Sequence, residues 1–161
     1  MEKLPPIEKI YEAYTAVADN RVKIAESSTL EQGEATVSSS DNAKEYTIEW
    51  NASTYSSNDN STFWQLYAGY PVIAVFMLQG LLPYNKEAAE YFKGVNWKRL
   101  NTRYKNDYAA ALKEVIRQKG LDSSERAEEL SKITLSVQNV YNRLQMLDIK
   151  VARLRKKPKQ D

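Results

Sequence analysis

The sequence predicts a single α+β domain: an N-terminal helix, a small antiparallel β-meander, a buried central helix and a long C-terminal antiparallel helical hairpin. Three observations predict it. Apolar residues recur at three- and four-residue spacing over residues 7–18 and again beyond residue 96, the period of helices with a covered face. Between these stretches Val22/Ile24 and Tyr46/Ile48/Trp50 alternate with polar neighbours, the period of half-buried strands. A chain of 161 residues is domain-sized and buries roughly 70% of its unfolded surface without needing disulfides or metal. The expected domain covers residues 1–157, divided into an acidic helix, sheet and core-helix part (1–92) and a basic hairpin (93–157). Residues 158–161 read as a flexible tail.

The elements follow in order. Pro5 and Pro6 suit a helix start, and Ile7, Ile10, Tyr11, Tyr14, Val17 and Ala18 line one face. Asp19-Asn20 suits its end, because Asn tolerates the left-handed conformation. Three strands are expected near 21–26, 34–40 and 44–51, with a turn at residues 40–43. The polar run 56–62 then meets the most apolar segment of the chain. Thr62 and Gln65 have capping-box spacing, so a short helix is expected from Phe63. Pro71 biases Tyr70 away from helical angles. A second helix is therefore expected over 71–79, closed by Gly80. Its stretch Val72 to Leu78 has no polar residue, which places it at the centre of a core or in a membrane. The interrupting Gly, Pro and Gln and the missing basic flanks favour the core.

A short helix over 85–93 and a long one over 96–119 come next, ended by Gly94 and Gly120. Asp122 with Glu125 has the spacing of an N-cap and its partner. In the last helix Leu130, Ile133, Val137, Val140, Leu144, Leu147, Val151 and Leu154 alternate three- and four-residue steps, a heptad seam. A continuous helix over 123–157 would be about 50 Å long. The hairpin partner is roughly ten residues shorter, so the end of the seam would overhang. Each seam residue is worth about 1.5–3 kcal/mol when buried. The overhang Leu144, Leu147, Val151 and Leu154 is therefore the expected surface for a second copy, a dimer being favoured, or for another protein.

Composition removes several chemistries. There is no cysteine and no histidine, which excludes disulfides, thiolate catalysis, Ser-His systems and the usual zinc sites. Residues 1–92 carry 6 Lys+Arg against 13 Asp+Glu (net −7), and residues 93–161 carry 17 against 8 (net +9). Such a split means a polyanion-binding half or two halves that attract each other. The hairpin would gather Lys98, Arg99 and Arg103 with Arg153, Arg155, Lys156 and Lys157 into one patch, the alternative site, for nucleic acid. A third site is a small-ligand loop with Tyr55, Asp59, Trp64, Tyr67 and Tyr70. Glu8 and Glu12 share a helix face, and Glu45 and Glu49 a strand face, at the spacing that surface positions produce. No phosphate loop or dinucleotide fingerprint occurs. No cofactor, metal or catalytic residue is expected, and the function expected is non-enzymatic interaction. The start MEKLPPIEKI lacks a basic-then-apolar leader pattern, so a cytoplasmic location without membrane association is expected.

Overall fold

The computed structural model describes residues 1–160 as mixed helix and sheet. Helix α1 (Glu8–Ala18) opens the chain and ends where Asn20 turns left-handed, φ 55°. Strands β1 (Val22–Ile24), β2 (Gln32–Ser38), β3 (Lys44–Asn51) and β4 (Thr54–Ser57) form an antiparallel meander. Its registers include Val37 opposite Tyr46 and Trp50 opposite Tyr55. Strand β4 was not expected. Its hairpin turns on Ala52, at φ 53°, and alanine carries none of the usual turn chemistry.

Helices α2 (Asn60–Gln65), α3 (Tyr70–Leu78) and α4 (Lys86–Glu90) follow. The cap of α2 is Asp59, whose carboxylate accepts from the Thr62 N–H at 3.1 Å; Thr62, the expected cap, lies inside the first turn. Helix α3 is the apolar helix expected at the centre. Val72 through Phe76 have no exposed surface, and α3 lies between the sheet and α1. Among the described residues no helix is long and apolar enough to cross a membrane. Asn85 caps α4, and Gly94 takes φ 80° beyond it.

The C-terminal half departs most from expectation. The helix expected over 96–119 is two helices, α5 (Trp97–Arg103) and α6 (Tyr108–Gln118). Lys105 and Asn106 both take positive φ between them, and Asp107 restarts the chain by capping Ala110 N–H. After a 3-10 turn (Ser124–Arg126), helix α7 runs over Ala127–Met146 and stops. Residues Lys150–Arg153 form strand β5, parallel to β4, and Lys159–Gln160 form β6 against Lys44 and Glu45 of β3. The expected flexible tail is thus partly sheet.

The continuous helix to residue 157, the helical hairpin and the overhanging seam are therefore corrected. The reason is geometric. Strand β4 leaves an open edge, and the chain satisfies it with Lys150 N–H to Ser53 O at 2.9 Å and Leu154 N–H to Ser57 O at 3.0 Å. Leu147, Ile149 and Val151 all pack on the core at two-residue spacing, so Leu147 and Val151 fit a strand period as well as a heptad. The remaining seam is covered within the chain. Ile133, Val137, Val140 and Leu144 are buried, and α7 packs mainly on α1 and α4 rather than on α6. Tyr14 and Tyr141 tie it down through Ser136 and the Pro5 carbonyl.

Candidate binding cavity

Helix α1 is covered by α3, α4, α6 and α7, so it has no fully wet face and its polar residues are buried with the rest. Lys9 and Glu12 are each 4% exposed, one turn apart. Their side chains meet at 3.3 Å. The Lys9 ammonium also sits 3.9 Å from the centre of the Tyr108 ring at the start of α6, a cation–π contact in a desolvated setting. Burial opposes the charge on Lys9, but Glu12, Tyr108 and Tyr67 outweigh it and hold the ammonium above the ordinary lysine value. Burial pushes the Glu12 carboxyl up, with Lys9 and the Asn101 amide pulling it back.

These groups form one side of a cavity of about 300 Å³, between α1, one end of the sheet and the α5–α6 elbow. Arg21 enters from the α1–β1 turn; it donates to the Ser38 carbonyl and lies 3.5 Å from Asp19. Asp59 faces in from the α2 cap, where it also accepts from Ser57 Oγ at 2.6 Å. Tyr46 of β3 and Tyr70 of α3 add phenolic walls. Burial, then the carboxylates of Asp59 and Asp41, push the Tyr46 hydroxyl up to about 12; burial raises Tyr70 further. Trp97 and Asn101 close the cavity from α5. The Trp97 indole donates to Thr15 Oγ at 2.8 Å. Asn101 is 9% exposed, and its Oδ1 has no hydrogen-bond partner among the described residues. Among the described residues no carboxylate cluster forms that could hold a metal ion.

Of the five loop residues singled out from the sequence, Asp59 and Tyr70 line this cavity. Tyr55 is core: it stacks on Trp50 with ring centres 5.6 Å apart and donates to Gln79. Tyr67 lies behind Lys9 and is buried, whereas Trp64 is 70% exposed and packs edge-on to Phe63. The seven basic residues do not gather as the hairpin would have gathered them. Lys98 pairs with Asp41, Arg153 donates to the Phe63 carbonyl and Lys156 pairs with Glu49 at 2.9 Å. Arg99, Arg103, Arg155 and Lys157 are exposed. The basic tail thus lies on the acidic sheet, the second meaning of the charge split. The seam residues Leu144, Leu147, Val151 and Leu154 lie at the end of α7 and along β5, with Leu144 fully buried and the other three half-buried.

Sequence reasoning missed Lys9, Glu12, Arg21, Tyr46, Asn101 and Tyr108 as site residues, and took the Glu8/Glu12 spacing for surface. The signal for Glu12 was present. Away from the apolar face of residues 7–18, the side that carries Lys9 and Glu12 also holds Thr15 and Ala16, residues small enough for other elements to close over it.

The profile of a protein family described as "Uncharacterised conserved protein UCP014422" matches residues 2–150. No curated protein and no solved structure matches the chain.

Proposed function

The chain belongs to the family that its residues 2–150 match, and we propose that it is a non-enzymatic protein that binds a small polar molecule in the cavity between α1 and the α5–α6 elbow. The observation that carries the reading is the set of four ionic side chains, Lys9, Glu12, Arg21 and Asp59, all under 9% exposed and all lining one cavity. Charged groups are almost never fully buried unless paired. Ionic groups desolvated together in a concave site are the physical mark of a binding site. Binding without covalent chemistry fits their state. The Lys9 amine is held protonated by Glu12, so it is not a free nucleophile, and Asp59 is committed to the α2 cap.

Self-association through the heptad seam draws less support, because α1, α4 and β4 occupy the surface that a partner would have used. Nucleic-acid binding through the basic residues also draws less, since Lys98 and Lys156 are paired with carboxylates.

The test is thermal unfolding in the presence of a library of polar metabolites, on wild type and Thr102→Trp. Thr102 is an exposed residue on the cavity rim, and an indole there fills the mouth. A ligand at 100 times its Kd stabilises by about 2.7 kcal/mol, a rise of roughly 5–10 °C at this size. The proposal expects such a rise in wild type and its loss in Thr102→Trp. No stabilising compound, or shifts that persist in the variant, refutes it.

A further inference from the structure

We infer that the cavity takes an uncharged, hydroxyl-rich ligand of monosaccharide or cyclic-polyol size, an assignment that rests on the cavity being a binding site. The buried ionic groups balance, Lys9 and Arg21 against Glu12 and Asp59, and Lys98, the half-exposed cation that also lines the cavity, is answered by Asp41 at 3.6 Å. Each is also answered inside the protein: Lys9 by Glu12, Asp59 by Ser57 and the Thr62 N–H, Arg21 by the Ser38 carbonyl and Asp19. A ligand carboxylate or phosphate would meet Glu12 and Asp59, and an ammonium would meet Lys9 and Arg21. Beside ionic groups as buried as these, a ligand charge carries a desolvation penalty that only a free partner offsets. An amino acid brings both charges, but would have to break the existing pairs to use them.

What remains open is neutral hydrogen-bonding capacity. The Asn101 amide directs its NH₂ at Glu12, because a carboxylate accepts only, and this fixes which end of the amide is which. Oδ1 is then left as a buried acceptor without a donor. The Tyr46 hydroxyl lines another wall of the cavity, and Arg21 Nε, 3.5 Å from Asp19 Oδ2, makes no hydrogen bond within the described residues. The site thus offers both donors and an acceptor. A hydroxyl is the uncharged group that answers either kind, since it donates and accepts. Several hydroxyls on one rigid ring reach different walls with little ordering cost. The aromatic rings of Tyr70, Tyr108 and Trp97 line the cavity and supply apolar surface for the ring's C–H groups. A volume of about 300 Å³ is about ten waters' share of liquid water, a fit for one such ring.

The experiment is isothermal titration of the full chain with two panels. The neutral panel is D-glucose, D-galactose, D-ribose and myo-inositol; the charged panel is glycine, glutamate, lysine, succinate and inorganic phosphate. Wild type, Asn101→Leu, Tyr46→Phe and Thr102→Trp are compared, each with a circular-dichroism melt to establish folding. Tyr46→Phe removes a single oxygen, so it keeps the test decisive should Asn101→Leu fail to fold. The expected result is binding of at least one neutral probe and of no charged one. Its Kd should weaken about tenfold, the loss of one hydrogen bond, in each folded single variant. Heat from a charged probe that vanishes in Thr102→Trp overturns the ligand class and leaves the cavity as a binding site. Silence from the neutral panel, or neutral binding unchanged by Asn101→Leu and Tyr46→Phe, also overturns the class. Binding that ignores Thr102→Trp overturns the site itself.

Discussion

Replacing Lys9 by Met removes the ammonium from the buried pair and leaves the apolar stem in place, so packing changes little. Glu12 then stays 4% exposed with its nearest cation gone. Removing one partner of a buried ion pair costs about 3–5 kcal/mol, and the loss of the Tyr108 cation–π contact falls within that figure. Lys9→Met/Glu12→Leu removes both charges and should recover most of the loss. Recovery stays incomplete because the Asn101 NH₂ loses its acceptor, worth about 1–3 kcal/mol. The pH dependence has a definite sign. Burial already raises Glu12 above its ordinary 4.5, and without Lys9 it rises further. Between 4.5 and that folded value the native state holds more protons than the unfolded one, so stability falls as pH rises. The slope cannot exceed about 1.4 kcal/mol per pH unit for one group. The single variant should therefore lose more stability at pH 8 than at pH 5. Urea denaturation followed by tryptophan fluorescence at both pH values measures it. A Lys9→Met protein within about 1 kcal/mol of wild type at pH 8, with no extra pH dependence, refutes the reasoning.

Leu147→Asp/Val151→Asp should destabilise the monomer rather than dissociate an oligomer, because both side chains pack on the core. A melting curve and sedimentation velocity separate these outcomes, and an unchanged melt with altered mass contradicts the fold described. Gly69→Ala should cost at least about 2 kcal/mol in urea. A Cβ there falls inside the Asp59 carboxylate, so the α2 cap is lost, at about 1 kcal/mol, and the clash adds to it. A neutral result means that Asp59 can move freely. In an alkaline titration followed at 295 nm, Tyr46→Phe should remove one late-ionising phenol near pH 12. Since that folded value exceeds the unfolded 10.0, its stabilisation is complete below pH 10 and lost as pH rises through about 12. An unchanged late phase in the variant contradicts the burial of this hydroxyl.

How far the sequence could be read depended on whether a residue's role was local. The stop at Asn20 and the left-handed Gly80, Gly94 and Gly120 follow from backbone preferences and appear where expected. Of the two placements open to the apolar run of α3, core or membrane, it took the core favoured by its interrupting Gly, Pro and Gln. Failures came where two periods or two partners competed. Leu147 and Val151 fit a heptad at four-residue spacing, and Ile149 between them makes the same stretch a strand. The deciding factor was the open edge of β4, itself hidden because Ala52 gives no turn signal. The cavity was unreadable for a related reason. Lys9, Arg21, Tyr46 and Asn101 come from four distant stretches, and only the packing of α5 against the end of the sheet assembles them. Asp59 and Tyr70 were singled out because they flank the polar-to-apolar junction, and that junction forms one wall of the site.

Ligand binding in the cavity that Trp97 lines can be followed directly, because the three indoles of the chain are built-in reporters of it. Trp97 lines the cavity at 3% exposure. Trp50 is tied to the Thr29 carbonyl of the β1–β2 loop, and Trp64 is 70% exposed and does not line the cavity. ¹⁵N spectra of the indole and Asn101 side-chain signals, recorded during titration with the best-binding probe, decide the matter directly. Trp97 and Asn101, both on the cavity wall, should shift together while Trp50 and Trp64 stay still. Movement of Trp64 or Trp50 with Trp97 unmoved would contradict binding there.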